Sequence, residues 1–293
     1  MTTDPPAELF DRRALARHRR RASRLDSHDA RFLHGLAAAQ VSERLAEVNR
    51  TFTDAAVIGP QAGLWCHILA QRGGFPAAEA LPDEEILPLE ASARDIVIHG
   101  LALHWANDPV GQLVQCRRAL RPDGLFVAVL LGGQTLHELR SSIATAEAEV
   151  EGGLSPRVSP MAGLRDLGGL LGRAGFALPV ADSDRLTVTY ASPLLLMREL
   201  RAMGETNALA GRRRGFLRRE TLRRAAGLYR ERFSRPDGRI EATFELVFLT
   251  GWAPSAGQPR PLRPGSATAR LADALGTKEH SAGEKAAPAR KKT

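Results

Sequence analysis

Cysteine is scarce, with only Cys66 and Cys116 in 293 residues. The two are single and far apart, so no disulfide framework or zinc-ligand spacing is suggested, and they read as small buried hydrophobes in a reducing cytoplasmic setting. Aromatic residues make up 5% of the chain. Two arginine-dense stretches, 12–24 and 212–224, hold one aromatic between them, Phe216, and do not interleave a series of aromatics as a single-strand nucleic-acid groove would, so each reads as a solvated helix face or a docking surface. All four lysines lie in the last sixteen residues. No run approaches the 18 or so apolar residues of a membrane helix, and the N-terminal arginines lead into no apolar segment of a secretory signal. Serine, histidine and acid residues show no triad spacing, and no metal-ligand motif is present. That leaves open chemistry in which positioning lowers most of the barrier.

The net charge of +8 is concentrated at one end. Residues 253–293 hold eight Lys+Arg against three Asp+Glu, or +5, which leaves +3 for residues 1–252. A nucleic-acid partner is therefore not implied, and the Ala-, Pro-, Gly- and Ser-rich tail is expected to be mostly disordered.

At 43% apolar residues the rest of the chain can bury a core. Ile96–Ile98 and Leu125–Leu131 are uninterrupted apolar runs, the pattern of parallel strands covered on both faces. Between them Val110, Leu113, Val114, Cys116 and Leu120 recur at helical spacing, and Pro122-Asp123-Gly124 predicts a turn. Such a strand–helix–strand unit belongs to a doubly wound α/β domain. Ala55–Ile58 reads as its first strand, followed by Gly59-Pro60-Gln61-Ala62-Gly63 turning into a helix. Glycines there let backbone approach a ligand at a helix N-terminus, which marks Gly59, Gln61 and Gly63 as candidate cofactor-binding positions. Glu79, about 20 residues after the first glycine, is either a ribose-binding acid or an exposed carboxylate beside Asp83, Glu84 and Glu85. Only fifteen residues separate Glu79 from Asp95. A parallel crossover uses about a dozen, so one strand or helix is expected to be missing.

His99, His104 and Trp105 follow the fourth expected strand and are the candidate catalytic groups, although histidines at such places also serve structure; His137 lies on a later helix. Leu186, Val188 and Tyr190 alternate as one late strand, and Phe244, Leu246 and Phe248 as another. The expected organisation is N-terminal helices at 1–50, a sheet domain at 51–252 with helical insertions at about 134–151 and 193–235, and the tail.

The order of strand, LHWANDP, helix, LRPDG and strand resembles the second half of class I S-adenosylmethionine (SAM) dependent methyltransferases. GGQTLHELR (132–140), AEAEVEGGLSPRVSP (146–160), DLGGLLGRAGF (166–176), MGETNA (203–208), GW…RPGSA from Gly251 and LFDR (9–12) are similar to methyltransferase-fold assembly factors of respiratory complex I. The methyltransferase of biotin synthesis, which acts on a malonyl carrier protein, resembles the same plan. The resemblance implies a Rossmann-like, mostly parallel sheet shortened by about one strand, with helical caps over its carboxyl edge. It also implies SAM held at Gly59, Gly63 and Glu79, and a complex I subunit that is modified, with arginine hydroxylation as the associated chemistry. Gln61 stands where the family has a second glycine, Val57 where it has an acid, and Pro60 removes a donor. Losing the acid's contact with the SAM ammonium costs on the order of 1.5–3 kcal/mol. The alternative is a non-catalytic partner-binding protein with a degenerate SAM pocket.

Overall fold

The computed structural model describes residues 8–25, 27, 29–71, 75–259, 273 and 275–277. Residues 1–255 form one compact unit and residues 256–293 a second; RPGSA and most of the basic tail lie outside the described residues.

The first unit is built on six strands. The apolar runs become β1 (Ala55–Ile58), β3 (Arg94–Gly100) and β4 (Leu120–Leu131), whose central residues are buried on both faces. β2 (Ala78–Leu81), β1, β3 and β4 run parallel. The antiparallel β6 (Ile240–Trp252) then lies between β4 and the edge strand β5 (Ala177–Tyr190), giving the order β2-β1-β3-β4-β6-β5. The crossover helix α4 (Pro109–Ala119) starts where Asp108 accepts the Gly111 N–H at 2.7 Å and Pro109 fills a first-turn position. Between β2 and β3 the chain carries neither helix nor strand, so the sheet is shortened by one crossover, as the spacing predicts.

Two boundaries differ from the sequence reading. β4 starts at Leu120 rather than Leu125, because the Pro122-Asp123-Gly124 turn is absorbed into the strand as an irregularity, with Asp123 at φ 64°. β5 is fourteen residues long, since it pairs with β6 from Ala177 to Tyr190; its exposed edge is polar and hides the alternation.

Helices α1 (Arg12–Leu25), α2 (Phe32–Glu47) and α3 (Ala62–Ala70) come from the N-terminal half, and α6 (Leu164–Arg173) precedes β5. Three more, α5 (His137–Glu151), α7 (Pro193–Met203) and α8 (Arg219–Phe233), form the cap. The start of α5 is fastened to β6. The Gln134 N–H donates to Glu245 at 2.9 Å, and the Thr243 hydroxyl donates to the buried Glu138 at 2.5 Å. The far end of α5 is tied to α8, where Thr221 donates to Glu151 at 2.7 Å and Arg224 pairs with Glu149.

Gly59 sets the geometry of the edge where β1 and β3 end. Its φ is +151°, and a Cβ there would sit 2.4 Å from the Gly100 carbonyl oxygen, whereas a Cβ on Gly63 meets nothing within 4 Å. Gly59→Ala is expected to lower stability by about 1–3 kcal/mol, and Gly63→Ala to leave it nearly unchanged. Urea unfolding of the two variants side by side checks the difference.

Candidate functional site at the carboxyl edge of the sheet

The site is assembled from segments far apart in the chain. The Gly59 N–H donates to the Leu81 carbonyl at 3.0 Å, which draws the ends of β1 and β2 together. The Trp65 ring lies so close to Gly100 that a Cβ there would be 2.7 Å from it. Its indole N–H donates to His34 of α2 at 3.1 Å.

Over this edge runs the N-terminal segment. Asn107 bonds both backbone groups of Phe10, at 2.8 and 3.1 Å, and the Asp11 N–H donates to the Ala208 carbonyl at 2.7 Å. The Phe10 ring meets Trp105 edge-on at 5.1 Å. LFDR, LHWANDP and MGETNA are thus brought into one cluster. Asp11 caps α1 by accepting the Ala14 N–H; that bond, with Arg212 beside it, holds the Asp11 carboxyl down to about 2.

From α1, Arg19 reaches both oxygens of Asp83, at 2.6 and 2.7 Å, and Arg12 donates to the Asp83 backbone carbonyl. Asp83 is buried at the end of β2. The Nε and Nη2 of Arg19 are themselves buried with no partner among the described residues.

Glu205 completes the centre. Helix α7 ends at Gly204, whose φ of +85° turns the chain back toward α1. Glu205 Oε2 accepts from the Trp105 indole at 2.8 Å and from His104 Nε2 at 3.3 Å; no described residue bonds its other oxygen. Burial raises its pKa, but the His104 and Trp105 bonds and the nearby Arg19 outweigh this and leave it below the ordinary value. Glu205 is therefore an anion.

Glu205 also lines a cavity of about 240 Å³ between the sheet edge and the cap. Trp105, Leu33, Leu131, Leu139, Met197 and Phe244 make it largely apolar, with Arg157, Thr206 and Asn207 as polar neighbours. Arg157 is anchored by Glu147, whose Oε1 accepts its Nε at 2.7 Å and which also accepts the Ser155 N–H and hydroxyl. The Nη2 of Arg157 is buried with no partner among the described residues.

The sequence candidates fall out as follows. Trp105 lines the cavity and, with His104, holds Glu205. His99 is fully buried on β3, bonded to Gln112 at 3.2 Å, and is not among the residues lining the cavity. Gly59 and Gly63 stand at the turn, and the backbone carbonyl of Gln61 accepts the Trp65 N–H. His137 bonds the Gln134 carbonyl and is half-exposed. Glu79 falls short of the edge. Because β2 begins only at Ala78, Glu79 is its second residue, opposite Ala56, and it pairs with Arg94. The acid at the edge is Asp83. Sequence reasoning grouped Asp83 with exposed loop acids, read Arg19 as part of a charge run, and gave no chemistry to Glu205 or Arg157. The two cysteines are free, Cys116 buried and Cys66 partly so.

These residues do not fit SAM as this fold ordinarily holds it. Val57 is wholly buried and offers no carboxylate. Asp83, the acid at the edge, already accepts Arg19 at both of its oxygens and is paired within the protein. Among the described residues no cluster of three metal-ligating side chains occurs, and no helix is long and apolar enough to cross a membrane.

A methyltransferase-domain family model matches residues 68–128. Arginine-hydroxylase NDUFAF5, mitochondrial, of Danio rerio is 36% identical over 286 residues, covering 90% of this chain and 89% of that protein. The chain belongs to the NDUFAF5 family. The Homo sapiens NDUFAF5 protein is 43% identical over 194 residues, 66% of this chain and 56% of that protein. A malonyl-[acyl-carrier protein] O-methyltransferase of Laribacter hongkongensis is 40% identical over 193 residues, 65% of this chain and 62% of that protein. The family fold is therefore methyltransferase-like, and the NDUFAF5 relatives are mitochondrial by name.

Burial lowers the pKa of both His34 and His99 to about 4. Both are neutral in the fold at pH 7, while the unfolded chain protonates them near 6.5. Between about pH 6.5 and 4 the unfolded state binds more protons, so stability falls as pH falls through that window. Urea midpoints across it are expected to drop, and less steeply in His99→Asn.

Proposed function

We propose that this NDUFAF5-family protein acts in the assembly of respiratory complex I, receiving an arginine side chain of a protein subunit in the capped cavity. The observation that carries the reading is Glu205, an ionised carboxylate with one oxygen that no described residue bonds, lining an apolar cavity. An anion so placed calls for a cation on an apolar stem, and a guanidinium matches a carboxylate's planar geometry. At about 240 Å³ the cavity is smaller than pockets for drug-sized ligands, which suits one side chain. The relatives named arginine-hydroxylase support the same substrate class.

In this reading Glu205 holds the guanidinium and His104 and Trp105 orient Glu205, while His99 stays buried in β3 on Gln112, away from the cavity. A second reading, a partner-binding protein without catalysis, is favoured by Val57 and by the closure of Asp83 on Arg19. Both readings place the same side chain in the same cavity and need no nucleic acid. Two free thiols suit a reducing compartment, and a cytoplasmic location is part of the proposal.

Overlapping peptides from complex I subunits, each made with arginine and with the neutral isostere citrulline, test the reading. Arginine forms are expected to bind about ten- to a hundredfold more tightly, and Glu205→Gln to erase the difference while circular dichroism shows a folded chain. Equal affinity for both forms across the set would refute it.

A further inference from the structure

The cavity opens toward a larger groove of about 840 Å³, with Ile143, Arg157, Arg201, Thr206 and Asn207 lining both. Here the two arginine-dense stretches meet. Arg13, Arg17 and Arg21 come from α1, Arg201 from α7, and Arg212, Arg213 and Arg214 from the segment before α8. Arg157, Arg212 and Arg213 are neutralised by Glu147, Asp11 and Glu151. Among the described residues Arg13, Arg201 and Arg214 have no acidic partner, Arg17 acts on Asp11 only through its charge, and the Arg21 side chain bonds the Thr206 hydroxyl at 3.3 Å. The charges press on one another. Burial first, then repulsion from Arg21, Arg212 and Arg17, lowers the His18 pKa despite its bond to the Thr206 carbonyl; Arg21 is lowered by burial and by Arg201.

We infer that this groove is the docking surface for an acidic segment of the partner protein, which flanks the side chain that enters the cavity. The inference rests on the proposed function for what enters the cavity; the groove's demand for anions stands on its own charge. A cationic side chain approaching Glu205 crosses a cationic mouth and is repelled unless acids beside it meet the arginines first. Aspartates and glutamates on the flanking residues turn that repulsion into attraction and fix the register of the entering residue. Phe216 is fully exposed next to Gly215 of the groove, an aromatic anchor for the same segment. A nucleic acid meets the arginines equally well, but its phosphates have no use for the ionised Glu205 at the inner end, and that favours a peptide of mixed sign.

The test uses the full chain and a triple variant, Arg17→Glu/Arg21→Glu/Arg214→Glu, with folding checked by circular dichroism. Three labelled probes are compared: a peptide with one central arginine between runs of aspartate and glutamate, single-stranded RNA of equal net charge, and phosphatidylserine vesicles. The acidic peptide is expected to bind most tightly. Its affinity should fall about tenfold or more in the triple variant and also between about 0.05 and 0.5 M salt. Unchanged peptide affinity in the folded variant, or tighter arginine-dependent binding of RNA or vesicles, would overturn the inference. Replacing the central arginine with citrulline separates the two proposals. If only the cavity reading is wrong, citrulline changes nothing while charge reversal still abolishes binding; if only the groove is wrong, the pattern inverts.

Discussion

Arg19 closes on both oxygens of Asp83 at 2.6 and 2.7 Å, and the arrangement of the sheet's carboxyl edge depends on that contact. It pins α1 across the ends of β2 and β3, which in turn places Phe10 on Trp105 and Asp11 on the Ala208 carbonyl. Gly204 lets α7 end against the same helix, where a Cβ would sit 3.3 Å from Arg19 Cγ. Glu205 follows directly and is delivered to Trp105 and His104. The contact that occupies Asp83 at the edge thus also places the carboxylate of the neighbouring cavity.

The cap has its own anchor in Glu147, which is 2% exposed and holds Ser155 and Arg157. Removing one partner of such a buried pair typically costs about 3–5 kcal/mol, because the other is left charged and unsolvated. The loop carrying Arg157 is therefore rigidly placed between groove and cavity. The cavity and the groove share lining residues, with the Glu205 carboxylate at the inner end and arginines at the mouth.

Much of this was legible in the residues. The apolar runs at 96–98 and 125–131, the short interval before Asp95 and the two helical insertions gave the parallel sheet, its missing crossover and its cap. Polar contacts across long sequence separation were not legible. Arg19 meets Asp83 over 64 residues and Trp105 meets Glu205 over 100. No periodicity reports such pairs. Counting 20 residues from Gly59 led to Glu79, but an edge position depends on where the strand begins, and β2 starts late. The arginine stretches were visible as charge runs, while their meeting in one groove is a property of the fold alone.

The rearranged edge, with Val57 in place of an acid and Asp83 closed by Arg19, is the centre of this account. Calorimetric titration of SAM into the purified chain tests it most directly. The account predicts no binding tighter than about 1 mM, equivalent to roughly 4 kcal/mol. Saturable binding of SAM in the micromolar range by the unaltered chain would contradict it and return the glycine turn to use as a cofactor cradle.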